Sequence, residues 1–140
     1  MAHKCKSIIF HCMDFRLINE TRRWMERQGI IGDSDVVSLA GASKELVDGE
    51  EGAKSLLMKQ ISISNDLHGV KQVVLIHHSD CGAYKSSYDF ANADEEKQKQ
   101  LEDMSRATEI INARFPDIEV VKVWAEMEDE AGSRVNFNKL

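Results

Sequence analysis

Residues 72–82 read QVVLIHHSDCG, and this stretch decides the fold. Gln72–His77 carries Val73, Val74, Leu75 and Ile76 without polar alternation, which predicts a strand buried on both faces. Such a strand belongs to a mostly parallel sheet covered by helices. The polar residues that follow, His78, Ser79, Asp80 and Cys81, then fall at the strand's carboxyl end, where open α/β sheets gather their ligands.

Outward from this strand the chain alternates strand and helix. Upstream, Gly52–His68 predicts a helix with Ala53, Leu56, Leu57, Gln60, Ile61, Ser64 and Leu67 on its core stripe, ended by Gly69. Asp35–Leu39 reads as a second strand, closed by Ala40-Gly41-Ala42. Asn19–Gln28 reads as a helix with Leu17, Thr21, Trp24 and Gln28 on one side, and Lys6–His11 as a first strand ending at Cys12. Downstream, Glu95–Phe115 predicts a long helix striped by Leu101, Met104, Thr108, Ile111 and Phe115 and stopped by Pro116. Glu119–Ala125 and Arg134–Asn138 follow as a fourth strand and a fifth strand at the edge. The pattern predicts an α/β fold, a mostly parallel sheet of four or five strands flanked by helices, in a single domain over residues 1–140.

The composition is 42% hydrophobic and 30% charged, ordinary for a soluble globular chain of 140 residues. The net charge of −6 and pI near 5.4 speak against nucleic acid as a partner, because phosphate binding needs a basic surface. No apolar run approaches the roughly 20 residues of a membrane span. Ile8-Ile9-Phe10 is too short for a signal-peptide core, so a cytoplasmic protein without a membrane partner is expected. Cys5, Cys12 and Cys81 are an odd set in a chain without a secretion signal, which implies reduced thiols free to bind metal.

The chemistry-bearing residues cluster at strand ends. Cys12-Met13-Asp14-Phe15-Arg16 follows the first strand, Ala40-Gly41-Ala42 the second and His78-Ser79-Asp80-Cys81-Gly82 the third. If the first and third strands are neighbours, their ends lie about 5 Å apart. Cys12, His78 and Cys81 can then converge on one Zn²⁺, which favours thiolate and imidazole. Three protein ligands leave the fourth position open, the pattern of a catalytic site. Asp14 could accept a hydrogen bond from water there, or become a fourth ligand and close the site; Arg16 would keep it ionised. Taken singly, each feature has a bland reading: Cys12 as a small buried residue, His78 and Cys81 as a chance spacing, Asp14 and Arg16 as a surface pair. Their joint position at two strand ends gives the metal reading its weight.

Cys5 lies seven residues before Cys12, roughly 23 Å along an extended chain, and is not expected to join them. His11 and His77 directly precede ligands, so strand alternation turns them to the opposite face. His3 and His68 are expected to be solvated. A phosphate-loop cysteine enzyme is disfavoured: Arg16 comes only four positions after Cys12, and Asp14 would repel phosphate.

Cys12, Asp14 and Arg16 in the spacing C-x-D-x-R, then H-H-S-D-C-G behind an apolar strand, resemble the two signatures of the β-class carbonic anhydrases. The likeness runs from about Lys6 to Gly82 and on through the last strands. It implies a zinc enzyme, a lyase that hydrates CO₂ reversibly to bicarbonate and a proton through zinc-bound hydroxide. The ligands would be Cys12, His78 and Cys81, and the catalytic dyad Asp14 and Arg16, in a homodimer or larger assembly. Gly41 and Ala42 are candidate substrate-binding positions. Three departures stand out. Ser38 occupies the place of an arginine usual in the family, Phe15 replaces a small residue, and the chain starts almost at its first strand, without the family's N-terminal arm. The same scaffold hosts hydrolases of carbonyl sulfide and carbon disulfide, and a non-catalytic zinc protein is the alternative of a different class.

Overall fold

A computed structural model describes residues 3–140; Met1 and Ala2, the start of the expected domain, lie outside the described residues. β1 (Ser7–Cys12), β2 (Ser34–Leu39), β3 (Gln72–His78), β4 (Glu119–Met127) and β5 (Val135–Lys139) form one sheet in the order β2-β1-β3-β4-β5. Every pairing is parallel except that of β5, which runs antiparallel along β4. The expected α/β class and mostly parallel sheet are therefore present. β1 is buried at every residue and β3 from Val73 onward, which is why both are apolar without alternation.

Successive residues point to opposite faces of the sheet. On one face Ile8, Phe10, Val73, Leu75 and Trp124 pack under α3 (Glu51–His68) and α5 (Ala93–Arg114), meeting Leu57, Ile61, Met104 and Ile111. On the other, Ile9, Val74, Ile76 and Val123 pack against Trp24 and Met25 of α1 (Ile18–Arg27), and Trp24 stacks on Phe137 of β5. The core cluster on this face draws its helical residues from α1 alone and does not extend to β2. Val36, opposite Ile9 on the edge strand, accordingly stays 51% exposed.

Several local readings are corrected. Leu56 and Leu67, expected on the core stripe, are 57% and 62% exposed, because α3 touches the core along the narrow line of Leu57, Met58, Ile61 and Ser64. Met25 takes the core position expected of Gln28, which caps the C-terminus of α1 and is exposed. Two short helices, α2 (Lys44–Asp48) and α4 (Gly82–Ser87), are too brief to show a periodic pattern. α5 starts where the Asn92 side chain accepts the Glu95 N–H at 3.0 Å, behind an acidic first turn. Its buried line runs through Ile111 and Met104 as expected, and then on into Asp103, Gln100 and Glu96. Among the described residues, no helix is long and apolar enough to cross a membrane.

Ile111 is fully buried between α5 and the sheet. The substitution Ile111→Ala should lower the free energy of unfolding by about 2–5 kcal/mol. Urea unfolding would read this as a lower midpoint with an unchanged slope. A loss below about 0.5 kcal/mol, the size of a surface substitution, would mean that α5 is not docked as described.

Candidate metal centre

β1 and β3 pair in parallel with His11 opposite Ile76, so their carboxyl ends lie side by side. β1 is followed by β2 on one flank, and β3 returns on the other, making this gap the point where the connections diverge. Cys12 ends β1, His78 ends β3 and Cys81 precedes α4. All three are buried, and their ligand atoms lie within 4.8 Å of one another. The Nδ1–H of His78 donates to the Ser79 carbonyl at 2.7 Å, which leaves Nε2 as a bare lone pair. That Nε2 is buried without a hydrogen-bond partner, a costly arrangement unless a cation takes the lone pair. The Cys12 thiol falls well below its ordinary value, chiefly because the Cys81 thiol hydrogen-bonds to its thiolate. The hydrogen bond to Cys12 and burial push Cys81 up in turn. A divalent cation would relieve the opposition between the two sulfurs, and two thiolates with one imidazole suit Zn²⁺.

Asp14 caps the turn Phe15–Leu17, its Oδ1 accepting the Arg16 amide N–H at 3.0 Å. The five guanidinium N–H groups of Arg16 are all engaged. Nε donates to Asp14 Oδ1 (3.0 Å); Nη2 to Asp14 Oδ2 (2.7 Å) and the Asp80 carbonyl (3.0 Å); Nη1 to Asp80 Oδ2 (2.9 Å) and the Glu130 carbonyl (3.2 Å). The guanidinium holds the Asp14 carboxyl below the usual carboxylate range. Asp14 Oδ2 stands 4.0 Å from His78 Nε2. Arg16 fixes the carboxylate at that separation. Asp80, which the sequence reading left without a role, completes this clamp.

Behind the donors, α5 supports both backbone segments. Glu96 Oε2 accepts the Cys81 N–H at 2.9 Å and the Gln100 Nε2–H at 2.8 Å, while Gln100 Nε2 also donates to the His78 carbonyl at 2.9 Å. His77 does turn away from the centre. Its ring lies between Gln100 Oε1 (3.1 Å) and Ser43 Oγ (2.6 Å), and burial pushes it down to about 4, so it is neutral. Sequence reasoning missed Glu96 and Gln100; the available signal was a polar pair four residues apart on the stripe that leads to Met104 and Ile111.

The Gly41 N–H bonds the Cys12 sulfur, and a Cβ at Gly41 (φ 77°) would lie 2.9 Å from Lys44 Cβ, so this close approach requires glycine. Ala42 is fully buried, and Ala40 is the member of this segment that lines the cavity over Cys12. That cavity, about 510 Å³, is apolar along Met13, Phe15, Ala40 and Ala83 and polar at Asp14, Arg16 and Asp80. Phe15 is 84% exposed and borders the mouth rather than filling it. His68 is not freely solvated as expected: its Nδ1 meets Asp35 Oδ2 at 2.7 Å.

A parallel sheet whose central strands end in two cysteines and a histidine, beside a clamped aspartate, defines a protein of the β-carbonic anhydrase type. The chain belongs to the family described as "Putative carbonic anhydrase", which it matches over residues 2–133. It is similar to an uncharacterized protein of Rickettsia bellii, 34% identical over 122 residues covering 84% of this chain and 74% of that one. A second, from Rickettsia conorii, is 31% identical over 122 residues, covering 84% of this chain and 66% of its own. Among solved structures it resembles a tetrameric β-carbonic anhydrase of Sordaria macrospora, with TM-score 0.64, 13% identity and coverage of 97% and 81%. It also resembles the carbonic anhydrase of Glaciozyma antarctica (TM-score 0.54, 20% identity, coverage 99% and 83%). A carbon disulfide hydrolase in its apo form is alike as well (TM-score 0.55, 16% identity, coverage 97% and 79%). At these identities the structural likeness is one of fold.

Gly132, in the turn between β4 and β5, presses on the clamp. Its φ is 68°, and a Cβ there would lie 2.7 Å from the Arg16 carbonyl oxygen. Gly132→Ala should destabilise the fold by about 1–3 kcal/mol and displace Arg16. The expected readouts are a lower Tm and faster solvent exchange of the Arg16 Nε–H by NMR. A variant matching the parent in both would show that this turn does not bear on Arg16.

Proposed function

We propose that the chain is a zinc-dependent carbonic anhydrase, acting as one domain in the cytoplasm and converting CO₂ and water reversibly to bicarbonate and a proton. The observation that carries this reading is the buried, unpartnered Nε2 of His78 grouped with Cys12 and Cys81, with the clamped Asp14 4.0 Å away. Cys12, His78 and Cys81 would hold Zn²⁺, which supplies Lewis acidity that makes water a nucleophile near neutral pH.

The remaining work falls to the chain. Ionised Asp14 only accepts hydrogen bonds, so a nucleophile pointing its proton at Asp14 Oδ2 turns its lone pair to the cavity. There CO₂ would rest against Met13, Ala40 and Ala83. Arg16 has no free N–H for substrate; its part is to keep Asp14 ionised and off the metal. In a closed form Asp14 would swing in as the fourth ligand and stop the reaction. The Gly41 amide would stabilise the Cys12 thiolate, a supporting role in place of substrate contact. Carbonyl sulfide and carbon disulfide are near-isosteres of CO₂, and the fold likeness to a carbon disulfide hydrolase keeps them as the alternative substrates.

Self-association is part of the same proposal. Among the described residues β2 has a free outer edge; exposed Val36 lies in the middle of β2, and exposed Met13, Phe15 and Ile18 follow the end of β1. A homodimer formed through this surface should scatter light at twice the chain mass of 15.8 kDa or more. A monomer mass at micromolar concentration would count against it.

Purified protein should carry about one zinc per chain at this centre, bound by two sulfurs and one nitrogen, and Cys81→Ser should release it. Asp14→Asn and Arg16→Ala should keep the metal and lose about 10²-fold or more of CO₂ hydration by stopped flow. If both variants, loaded with zinc, match the parent's rate, the dyad has no catalytic part. If the loaded parent is inactive on CO₂ and both sulfur analogues, the non-catalytic zinc reading replaces this one.

A further inference from the structure

The opposite end of the sheet brings together a second group of metal-binding side chains. Cys5 lies in the segment ahead of β1, Asp35 at the start of β2 and His68 at the C-terminal end of α3. Their ligand atoms lie within 4.8 Å of one another, and none of the three is fully exposed. His3 and Lys4 join them around a cavity of about 210 Å³. Asp35 Oδ2 accepts the Ser64 hydroxyl at 2.6 Å, which orients the carboxylate in the way outer partners orient metal-binding groups. The backbone is tied at the same place, the Cys5 N–H donating to the His68 carbonyl at 3.2 Å. β1 separates this group from Cys12 by roughly 23 Å, so the two sets cannot share an ion.

We infer that Cys5, Asp35 and His68 form a second site for a borderline-soft divalent cation, Zn²⁺ above all. One thiolate, one carboxylate and one imidazole suit zinc in type, and the fourth position would fall to water. The Asp35–His68 hydrogen bond of 2.7 Å must open by about half an ångström to admit the ion, since two ligands of one zinc stand about 3.3 Å apart. The proton on His68 Nδ1 must also leave, the neutral ring then carrying its proton on Nε2. The Cys5 thiol must give up its proton, which burial and the neighbouring Asp35 and Asp33 carboxylates now hold in place. Once bound, the ion would staple the segment before β1 to the start of β2 and the end of α3. Lys4 offsets part of the remaining negative charge.

The test titrates the zinc-free 140-residue chain with Zn²⁺ under reducing conditions, then with Cd²⁺ observed by cadmium NMR. The chain should take up a second equivalent beyond that of the Cys12 centre, and Cys5→Ser and His68→Gln should each take up one equivalent fewer than the parent. Cadmium should give a resonance of one-thiolate type that survives the double substitution Cys12→Ser, Cys81→Ser and vanishes in Cys5→Ser. Because this resonance is read in the parent chain, the result stands even if a variant fails to fold. Equal zinc uptake by the parent and both folded variants overturns the proposal. So does a cadmium spectrum of the parent without a one-thiolate resonance.

Discussion

The parallel pairing of β1 with β3 is the constraint on which the rest of the structure depends. It sets Cys12 beside the end of β3, where two adjacent histidines compete for one place. A slip of one residue in β3 would exchange His77 and His78 between the faces of the sheet. Apolar patterning does not forbid this slip, because Val73 and Leu75 feed one core and Val74 and Ile76 the other. The polar partners do. His77 fits its own pocket because Ser43 and Gln100 meet its two ring nitrogens, and His78 fits because the Ser79 carbonyl fixes its Nδ1. Exchanging them would leave buried ring nitrogens unpaired on both faces, at a cost of about 1–3 kcal/mol for each group.

The same reasoning explains why α5 carries Glu96, Gln100 and Asp103 on a line that is otherwise core. Buried polar groups of this kind destabilise unless each finds a partner. Glu96 and Gln100 take theirs from the backbone of Cys81 and His78, and Asp103 accepts the Tyr84 hydroxyl at 2.9 Å and the Lys99 ammonium at 2.9 Å. The helix thus clamps the loop from β3 into α4 through directional bonds. A purely apolar face would hold the helix to the sheet but leave that loop free to rotate its donors.

Much of this was legible in the sequence, and what was not has a physical reason. All five strands and the three long helices could be read from their patterns, because unbroken apolar runs and helical stripes are averages over many residues. The grouping of Cys12, His78 and Cys81 followed from one topological assumption, that β1 and β3 are neighbours. The outward turn of Leu56 and Leu67 was not legible, because spacing alone does not say how wide a face of α3 the core will accept. Neither were Asp80, Glu96 and Gln100: their partners lie up to 64 residues away, and a polar residue on a helix looks solvated until its neighbour is known. Cys5, Asp35 and His68 escaped for the same reason, being drawn from three separate elements.

Among the described residues, the two non-glycine residues with positive φ both border the candidate centre, Ala42 at 55° and Asp80 at 54°. Each left-handed residue costs on the order of 1 kcal/mol, so the surrounding contacts must fix it. At Ala42 the bend brings the Ser43 N–H to 3.3 Å from His77 Nε2. At Asp80 it presents both the carbonyl and the carboxylate to Arg16, and the carboxylate also pairs with Lys85. Glycine would relieve the backbone at position 80 but remove the carboxylate that holds Nη1. Asparagine would tolerate the bend but weaken the pairing. Aspartate is the residue that meets both demands. The position of Asp14 relative to His78 therefore depends on a strained residue in the loop after β3 as much as on the short C-x-D-x-R segment that contains Asp14 itself.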